Sequence, residues 1–369
     1  MIVPPVSLAF GRARGFLALL RLCALALPLA GCEAPGRQAR AKQEANERWD
    51  RTRADLKARL AAAQFEAGEV DAAATELAAA LELAPSDRSL RLMEVRVRLS
   101  QGALDQAEQA LDRLQRQGVG GPETSYLRGV VGQQRGEWGA ALTHFCAAAE
   151  AAPHEVEYVV AAAQAHLQLR QPDAAWELLG RHEERLGWKP AYQAVLAECL
   201  EQLGLWGAAA AAWRRVAGGS EDASLSERLG IALHRAGRWD EAARVLDPLI
   251  SRAQRDRPSV RLALAECLLE GGDAVTARER LAPVLRAEPH NAHALRLLAR
   301  CLAALDDFAG AHRVAEQALK ADPGAAELAA ILALRAGQTD RARQIVATYL
   351  SHVAGDDPLL GRLHELLRD

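Results

Sequence analysis

Eight alanines fall in register along most of this chain: Ala73, Ala107, Ala141, Ala175, Ala209, Ala242, Ala277 and Ala311. Successive members are separated by about 34 residues, a period found in helical repeat arrays. A glycine stands five positions before six of them, at Gly68, Gly102, Gly136, Gly204, Gly237 and Gly272. Two residue types agreeing in phase over so many copies describe one short structural unit used repeatedly. Such units form a single elongated domain that grows by addition, so 369 residues do not imply two or three separate domains. Half of the residues are hydrophobic but only 4% are aromatic, and much of the apolar content is alanine. That composition favours many close-packed helices.

Positions 1–31 read differently. Arg12, Arg14 and Arg21 precede a short apolar run, Leu22 to Leu29, and then Leu29-Ala30-Gly31-Cys32, with no acidic residue before Glu33. A positive segment, a short apolar core and a small-residue exit describe a secretory signal over residues 1–31. Arg21 and Pro28 interrupt the run, which is too short for the roughly 20 apolar residues of a membrane span. The four residues ending at Cys32 resemble the lipobox of bacterial lipoproteins. The resemblance implies a lipid on the Cys32 thiol and a cut just before it. Glu33 rather than aspartate follows the cysteine, which in the enterobacterial family implies the outer membrane, facing the periplasm. Residues 32–53 are then an anchor and stem, and residues 54–355 the repeats.

Loss of residues 1–31 lowers the basic residues from 45 to 42 against 48 acidic ones, a net charge of about −6. A balance of that sign does not suggest a nucleic-acid binder. Residues 33–59 are locally basic, but Glu44/Arg48, Glu47/Arg51 and Asp55/Arg59 are i,i+4 pairs suited to a solvated helix. Beyond Cys23 and Cys32, the cysteines are Cys146, Cys199, Cys267 and Cys301, with no C-x-x-C. Cys199, Cys267 and Cys301 hold one slot in three units. Equivalent positions on neighbouring units should lie about 8 to 10 Å apart, beyond the roughly 7 Å that a disulfide spans, so these three are read as small buried hydrophobes.

Unit three shows the pattern in full: Gly129 in a first helix, Gly136 in the turn, Trp138 two positions later, Ala141 in a second helix, Phe145 four positions on, and Pro153 at the close. Units follow at about 54–87, 88–121, 122–155, 156–189, 190–222, 223–257, 258–291, 292–325 and a shortened ninth near 324–352. These marks resemble the tetratricopeptide repeat over the whole run of units. The resemblance implies an all-α fold, a right-handed superhelical solenoid of about eight to nine helix-turn-helix units. Two helices approach to about 8 Å only where small side chains face each other, hence the alanines and glycines. Trp138, Trp206, Trp239 and Phe308 follow their turns and are expected to span to the next unit and bury about 150 to 250 Å² each.

Several positions depart from the pattern. Arg170 replaces the turn glycine of unit four, and Asp306 that of unit eight. Pro248 and Pro283 fall within second helices, where they should kink the helix or delay its start. Residues 356–369 open with Asp356-Asp357-Pro358 and carry Leu359, Leu360, Leu363, Leu366 and Leu367 on one stripe, as a capping helix would.

No motif for phosphate binding, nucleophilic hydrolysis, a zinc protease or a dinucleotide is present. His290 and His293 form an H-x-x-H near Cys301, but a turn or capping role suits them better than metal ligation. The carboxylates Glu198, Glu201, Glu227, Glu266 and Glu270 suit charged helix faces better than an acid-base pair. No catalytic residue, metal ligand or cofactor is assigned. The resemblance implies that first helices line a concave groove. The residues it places there are Leu92, Arg96, Tyr126, Val130, Gln164, Glu198, Glu227, Ile231, Glu266, Arg296 and Arg300, a mixed face suited to an extended peptide or a helix of a partner protein. The expectation is a lipid-anchored, non-catalytic scaffold in envelope assembly, held to the membrane through Cys32. The alternative is a subunit or regulator of a peptidoglycan- or polysaccharide-related enzyme.

Overall fold

The computed structural model describes residues 34–352 apart from Glu221 and residues 253–256. The signal segment, Cys32 and the 356–369 cap therefore lie outside the described residues. The chain divides between Gly120 and Gly121 into two compact units. Every regular element described is helical.

The N-terminal unit contains α1 (Ala34–Glu66), α2 (Val70–Leu83), α3 (Arg88–Ser100) and α4 (Leu104–Arg116). The C-terminal unit continues with α5 (Pro122–Gln134), α6 (Trp138–Ala151), α7 (Val156–Gln168), α8 (Pro172–Leu186), α9 (Pro190–Gln202), α10 (Trp206–Ala217), α11 (Ala223–Arg235) and α12 (Trp239–Arg252). It is completed by α13 (Pro258–Glu270), α14 (Ala274–Ala287), α15 (Ala292–Ala304), α16 (Phe308–Ala321), a 3-10 turn (Pro323–Ala325), α17 (Ala326–Arg335) and α18 (Thr339–His352). The eighteen described helices form helix-turn-helix pairs, two in the N-terminal unit and seven in the C-terminal unit, each unit stacked in a tetratricopeptide-like solenoid fashion.

The register alanines mark where the paired helices touch. All eight are fully buried. Four positions further on, Leu77, Leu111, Phe145, Leu179, Trp213, Leu246, Leu281 and Ala315 are buried as well. Small residues on the first helices make room for them. A methyl group added at Gly129 would lie 2.5 Å from the Phe145 ring, and one at Gly230 would lie 2.3 Å from Leu246 Cδ2. The ring slot after the turn behaves differently from expectation: Trp138, Trp206, Trp239 and Phe308 are only half-buried, whereas Phe145 and Trp213, seven positions further along their helices, are fully buried. A side chain in the first turn of a helix sits at the rim of the contact, and one two turns in sits at its centre.

The turns are built alike. The residue after each left-handed position donates its N–H to a carbonyl five positions back, as in Glu69 to Gln64 at 2.8 Å, Glu137 to Gly132 at 2.8 Å and Gln338 to Ala333 at 2.8 Å, the long hydrogen bond of a Schellman turn. Arg170 (φ 59°) and Asp306 (φ 62°) take the same left-handed backbone as the turn glycines, although both carry a Cβ. Gln171 still donates to His166 at 3.0 Å and Asp307 to Leu302 at 2.9 Å. Packing on both sides imposes the turn on a residue that does not favour it. The left-handed region costs an ordinary side chain about 1 to 2 kcal/mol, and the greater chain entropy of unfolded glycine offsets part of that. Arg170→Gly is therefore expected to stabilise the protein by about 0.5 to 1 kcal/mol, and Asp306→Gly by less because aspartate tolerates this backbone better. Urea midpoints check this, and a lower midpoint for Arg170→Gly would contradict it.

The prolines also yield to the array. Both α12 and α14 begin in register at Trp239 and Ala274 and continue through Pro248 and Pro283, so neither start is delayed. Burial of Leu246 on one helix, and of Leu281 and Val284 on the other, holds the turns around each ring in place. At the N-terminal end, α1 already begins at Ala34, ahead of the repeats. Among its residues of described burial, Ala54 and Ala61 are buried, while Trp49, Leu56 and Leu60 are exposed. The three cysteines at the shared slot are buried and unpaired. Burial pushes the Cys199 thiol up to about 11 and that of Cys267 up to about 12, which keeps both protonated and unreactive.

Candidate functional site

The first helices of the pairs carry the positions assigned to the binding face, and the structure sorts them into three groups. Leu92 is a correction. It is 6% exposed and belongs to the interior, so it presents no surface to a ligand. A leucine buries wherever neighbouring helices close over it, and α3 also sequesters Glu94, Val95 and Val97. Arg96 on the same helix is exposed.

The second group is the charged set, and it is engaged. Glu198 on α9 accepts from Arg228 Nη1 on α11 at 2.6 Å. Glu201 accepts from Arg228 Nη2 at 3.0 Å and from the Trp213 indole N–H at 2.6 Å. The Arg228 guanidinium also lies 4.3 Å from the Trp213 ring centroid. Glu227 on α11 pairs with Arg257, at the start of α13, at 2.6 Å, and Glu266 on α13 meets His234 Nε2 on α11 at 3.0 Å. Arg300 on α15 pairs with Glu270 on α13, and Arg296 with Asp322 at 2.8 Å. Apart from the contacts to Trp213 and Asp322, these tie one first helix to the next. These carboxylates and arginines are cross-braces of the face before they are contacts for any partner. Reversing Arg296 and Arg300 would therefore disturb the scaffold along with the face.

The N-terminal unit holds a related cluster inside one helix. Glu94 accepts from Arg91 Nη1 at 2.9 Å and from Arg98 Nη2 at 2.7 Å. Burial pushes the Glu94 carboxyl up, but the hydrogen bonds from Arg98 and Arg91 outweigh it and hold the group below its ordinary 4.5. A folded value below the unfolded one gives stability that is complete above about pH 4.5 and is lost as pH falls through the folded value. Wild-type protein is therefore expected to lose stability between about pH 5 and 3 more steeply than Glu94→Gln, which cannot titrate there. Parallel slopes in acid denaturation of the two proteins would contradict this.

The third group is open. Gln164 and Ile231 are exposed, and Tyr126 and Val130 are half-buried. Tyr126 donates to Glu157 at 3.1 Å, and its ring centroid lies 5.0 Å from that of Tyr158. Toward the other end of the same helices lies a pocket of about 260 Å³ lined by Gln133, Trp138, Gln164, Leu167, Gln168, Glu198 and Gln202. Of these, sequence reasoning assigns only Gln164 and Glu198 to the face. Gln168 and Gln202 hold the same slot in successive units, so the repeat phase alone could have found them. Arg228 and Glu201 lie beyond such reasoning, because their roles depend on which neighbour each reaches.

Among the described residues, no group of three or more His, Cys, Asp or Glu could hold a metal ion. Among those residues, too, no helix is long and apolar enough to cross a membrane.

Residues 64–129, 235–301 and 268–334 match the family model of the tetratricopeptide repeat. Cellulose synthase operon protein C of Xanthomonas axonopodis pv. citri (strain 306) is 31% identical over 284 residues, which cover 70% of this chain and 18% of that protein. The chain thus spans under a fifth of that relative's length. Two solved structures are similar at lower identity. YrrB, described as a TPR protein with an unusual peptide-binding site, is 17% identical with a TM-score of 0.44, covering 53% of this chain and 97% of YrrB. PilW, described as a widely conserved type IV pilus biogenesis factor, is 17% identical with a TM-score of 0.44, covering 52% of this chain and 91% of PilW.

Proposed function

We propose that this protein is a non-catalytic interaction scaffold that presents its first-helix face to a partner protein during envelope assembly. In this reading Cys32 carries the lipid that holds it to the outer membrane, facing the periplasm. The observation that carries the reading is the construction of the face: from α9 onward charged residues brace neighbouring first helices, with exposed Ile231 among them, and on α5 and α7 the same face presents half-buried Tyr126 and Val130 and exposed Gln164. A rigid, pre-formed surface with mixed polarity binds an extended segment at little ordering cost.

Photo-crosslinking tests it. A crosslinker at position 164 should capture one dominant envelope protein, and one at position 313, on the second helix of unit eight, should not. Equal capture at both positions would overturn the assignment of the face. The mass of the N-terminal peptide from membranes tests the anchor, and an unmodified Cys32 would overturn it. Similarity to a part of cellulose synthase operon protein C favours a second reading, a subunit or regulator of polysaccharide-related machinery. Copurification with a polysaccharide-synthesising enzyme, rather than with an outer-membrane, pilus or secretion component, would select it.

A further inference from the structure

We propose that the pocket between α5, α7 and α9 is a binding site for a neutral glycan chain. Three consecutive units contribute to it: Gln133 from the first, Gln164 and Gln168 from the second, Glu198 and Gln202 from the third, with Trp138 and Leu167 completing the lining. The four glutamines are exposed, so their amide groups face the space the pocket offers. Glu198 differs, being held by Arg228 at 2.6 Å, so its position is fixed by the brace behind it.

The chemistry of the lining selects the ligand. No lysine, arginine or histidine lines the pocket, so a phosphate, a carboxylate or an acidic segment would find no cation there. Leu167 is buried, which leaves no apolar recess for the anchoring side chains of a bound helix or peptide. What remains is a set of side-chain amides, each donating two hydrogens and accepting at its carbonyl, beside an indole. A sugar hydroxyl also donates and accepts, and the C–H face of a pyranose ring stacks on an indole. The pocket, about 260 Å³, falls just below the range of roughly 300 to 1,000 Å³ usual for sites that enclose a small molecule. It therefore suits a short segment of a longer chain that enters and leaves along the face. Exposed amides arrayed across three units supply several weak contacts in a row, as a polymer of identical rings requires. Such binding needs no protein partner elsewhere on the face.

The test is calorimetric titration of the whole chain, with Trp fluorescence followed in parallel, using hexamers of β-linked glucose and of β-linked N-acetylglucosamine. Hexagalacturonate and an uncharged, end-capped peptide of alternating serine and glutamine serve as comparisons. At least one neutral glycan is expected to bind with a Kd below about 1 mM, and the stronger of the two identifies the glycan class. Gln168→Ala together with Gln202→Ala should weaken that binding at least tenfold, about 1.4 kcal/mol, with an unchanged melting curve because both residues are exposed. Gln164→Ala alone serves if the double variant does not fold. Absence of binding by both neutral glycans, affinity unaltered in the variants, or tighter binding of hexagalacturonate or the peptide would each overturn the proposal.

Discussion

Leucine at Gly129 is expected to cost about 3 kcal/mol, the upper end of what overpacking a well-filled core usually costs. Two effects oppose each other at this position. Glycine inside a helix is less favourable than alanine by roughly 0.5 to 1 kcal/mol, so propensity alone predicts a gain from any added side chain. Packing predicts the reverse, because the first added carbon already lies 2.5 Å from Cδ1 and Cε1 of Phe145, a rigid ring with no exposed surface through which to move. Packing should win even for Gly129→Ala, by about 1 to 2 kcal/mol net. The control is Gly180, inside α8, where an added carbon meets nothing within 4 Å, so Gly180→Ala should stabilise by about 0.5 to 1 kcal/mol. Denaturant unfolding of these variants decides the matter. Gains of the same sign at both glycines would show that α5 and α6 do not approach as closely as described.

Charge reversal of Arg228 should be the most damaging single change on the first-helix face. The guanidinium serves Glu198, Glu201 and the Trp213 ring together, and Arg228→Glu would set a third carboxylate beside the other two. Pairs this exposed contribute about 0.2 to 1 kcal/mol each, and the stacked cation about 0.5 to 1, so the loss should be about 2 kcal/mol. Arg228→Gln should lose about half as much, because it removes the attraction without adding repulsion. Raising salt to 1 M should narrow the difference between the two variants, since repulsion is screened and stacking is not. Equal stability of wild type and Arg228→Glu at low salt would contradict the bracing role.

How much of the structure is legible in the sequence follows from which forces leave a periodic mark. Ala141 and its seven counterparts announce helix pairs because a close crossing demands a small residue at one point in every unit, and all eight are indeed buried. Gly129 and Phe145 are legible for the same reason. Arg170 and Asp306 look like breaks in the pattern, yet their turns form as in the glycine units, because flanking helices dictate a backbone that the local residue does not. Trp138 and Trp206 are less buried than their size suggests, since residue type says nothing of distance from the centre of a contact. The braces are illegible for a further reason. Repeat phase places Glu198 and Glu266 on a face, but their partners, Arg228 and His234, belong to adjacent helices and occupy different slots of the repeat. Gln168 and Gln202 share a slot that repeat phase could have flagged, whereas Gln133 falls one position out of that phase and leaves no mark against an exposed helix.

The cross-braces also set how the face yields under load. Glu198 with Arg228, Glu227 with Arg257, Glu266 with His234 and Arg300 with Glu270 each span a single gap between adjacent first helices, while the alanine contacts within each pair carry no charge. The C-terminal unit thus adds a charged, solvent-screened contribution at these gaps to the apolar packing that already runs across them. With a screening length of about 8 Å at physiological ionic strength and about 3 Å at 1 M salt, that charged contribution shrinks while the apolar packing does not. Ionic strength therefore acts on one layer of the unit only: it loosens the charged edge between neighbouring first helices while the dry seams beneath stay closed.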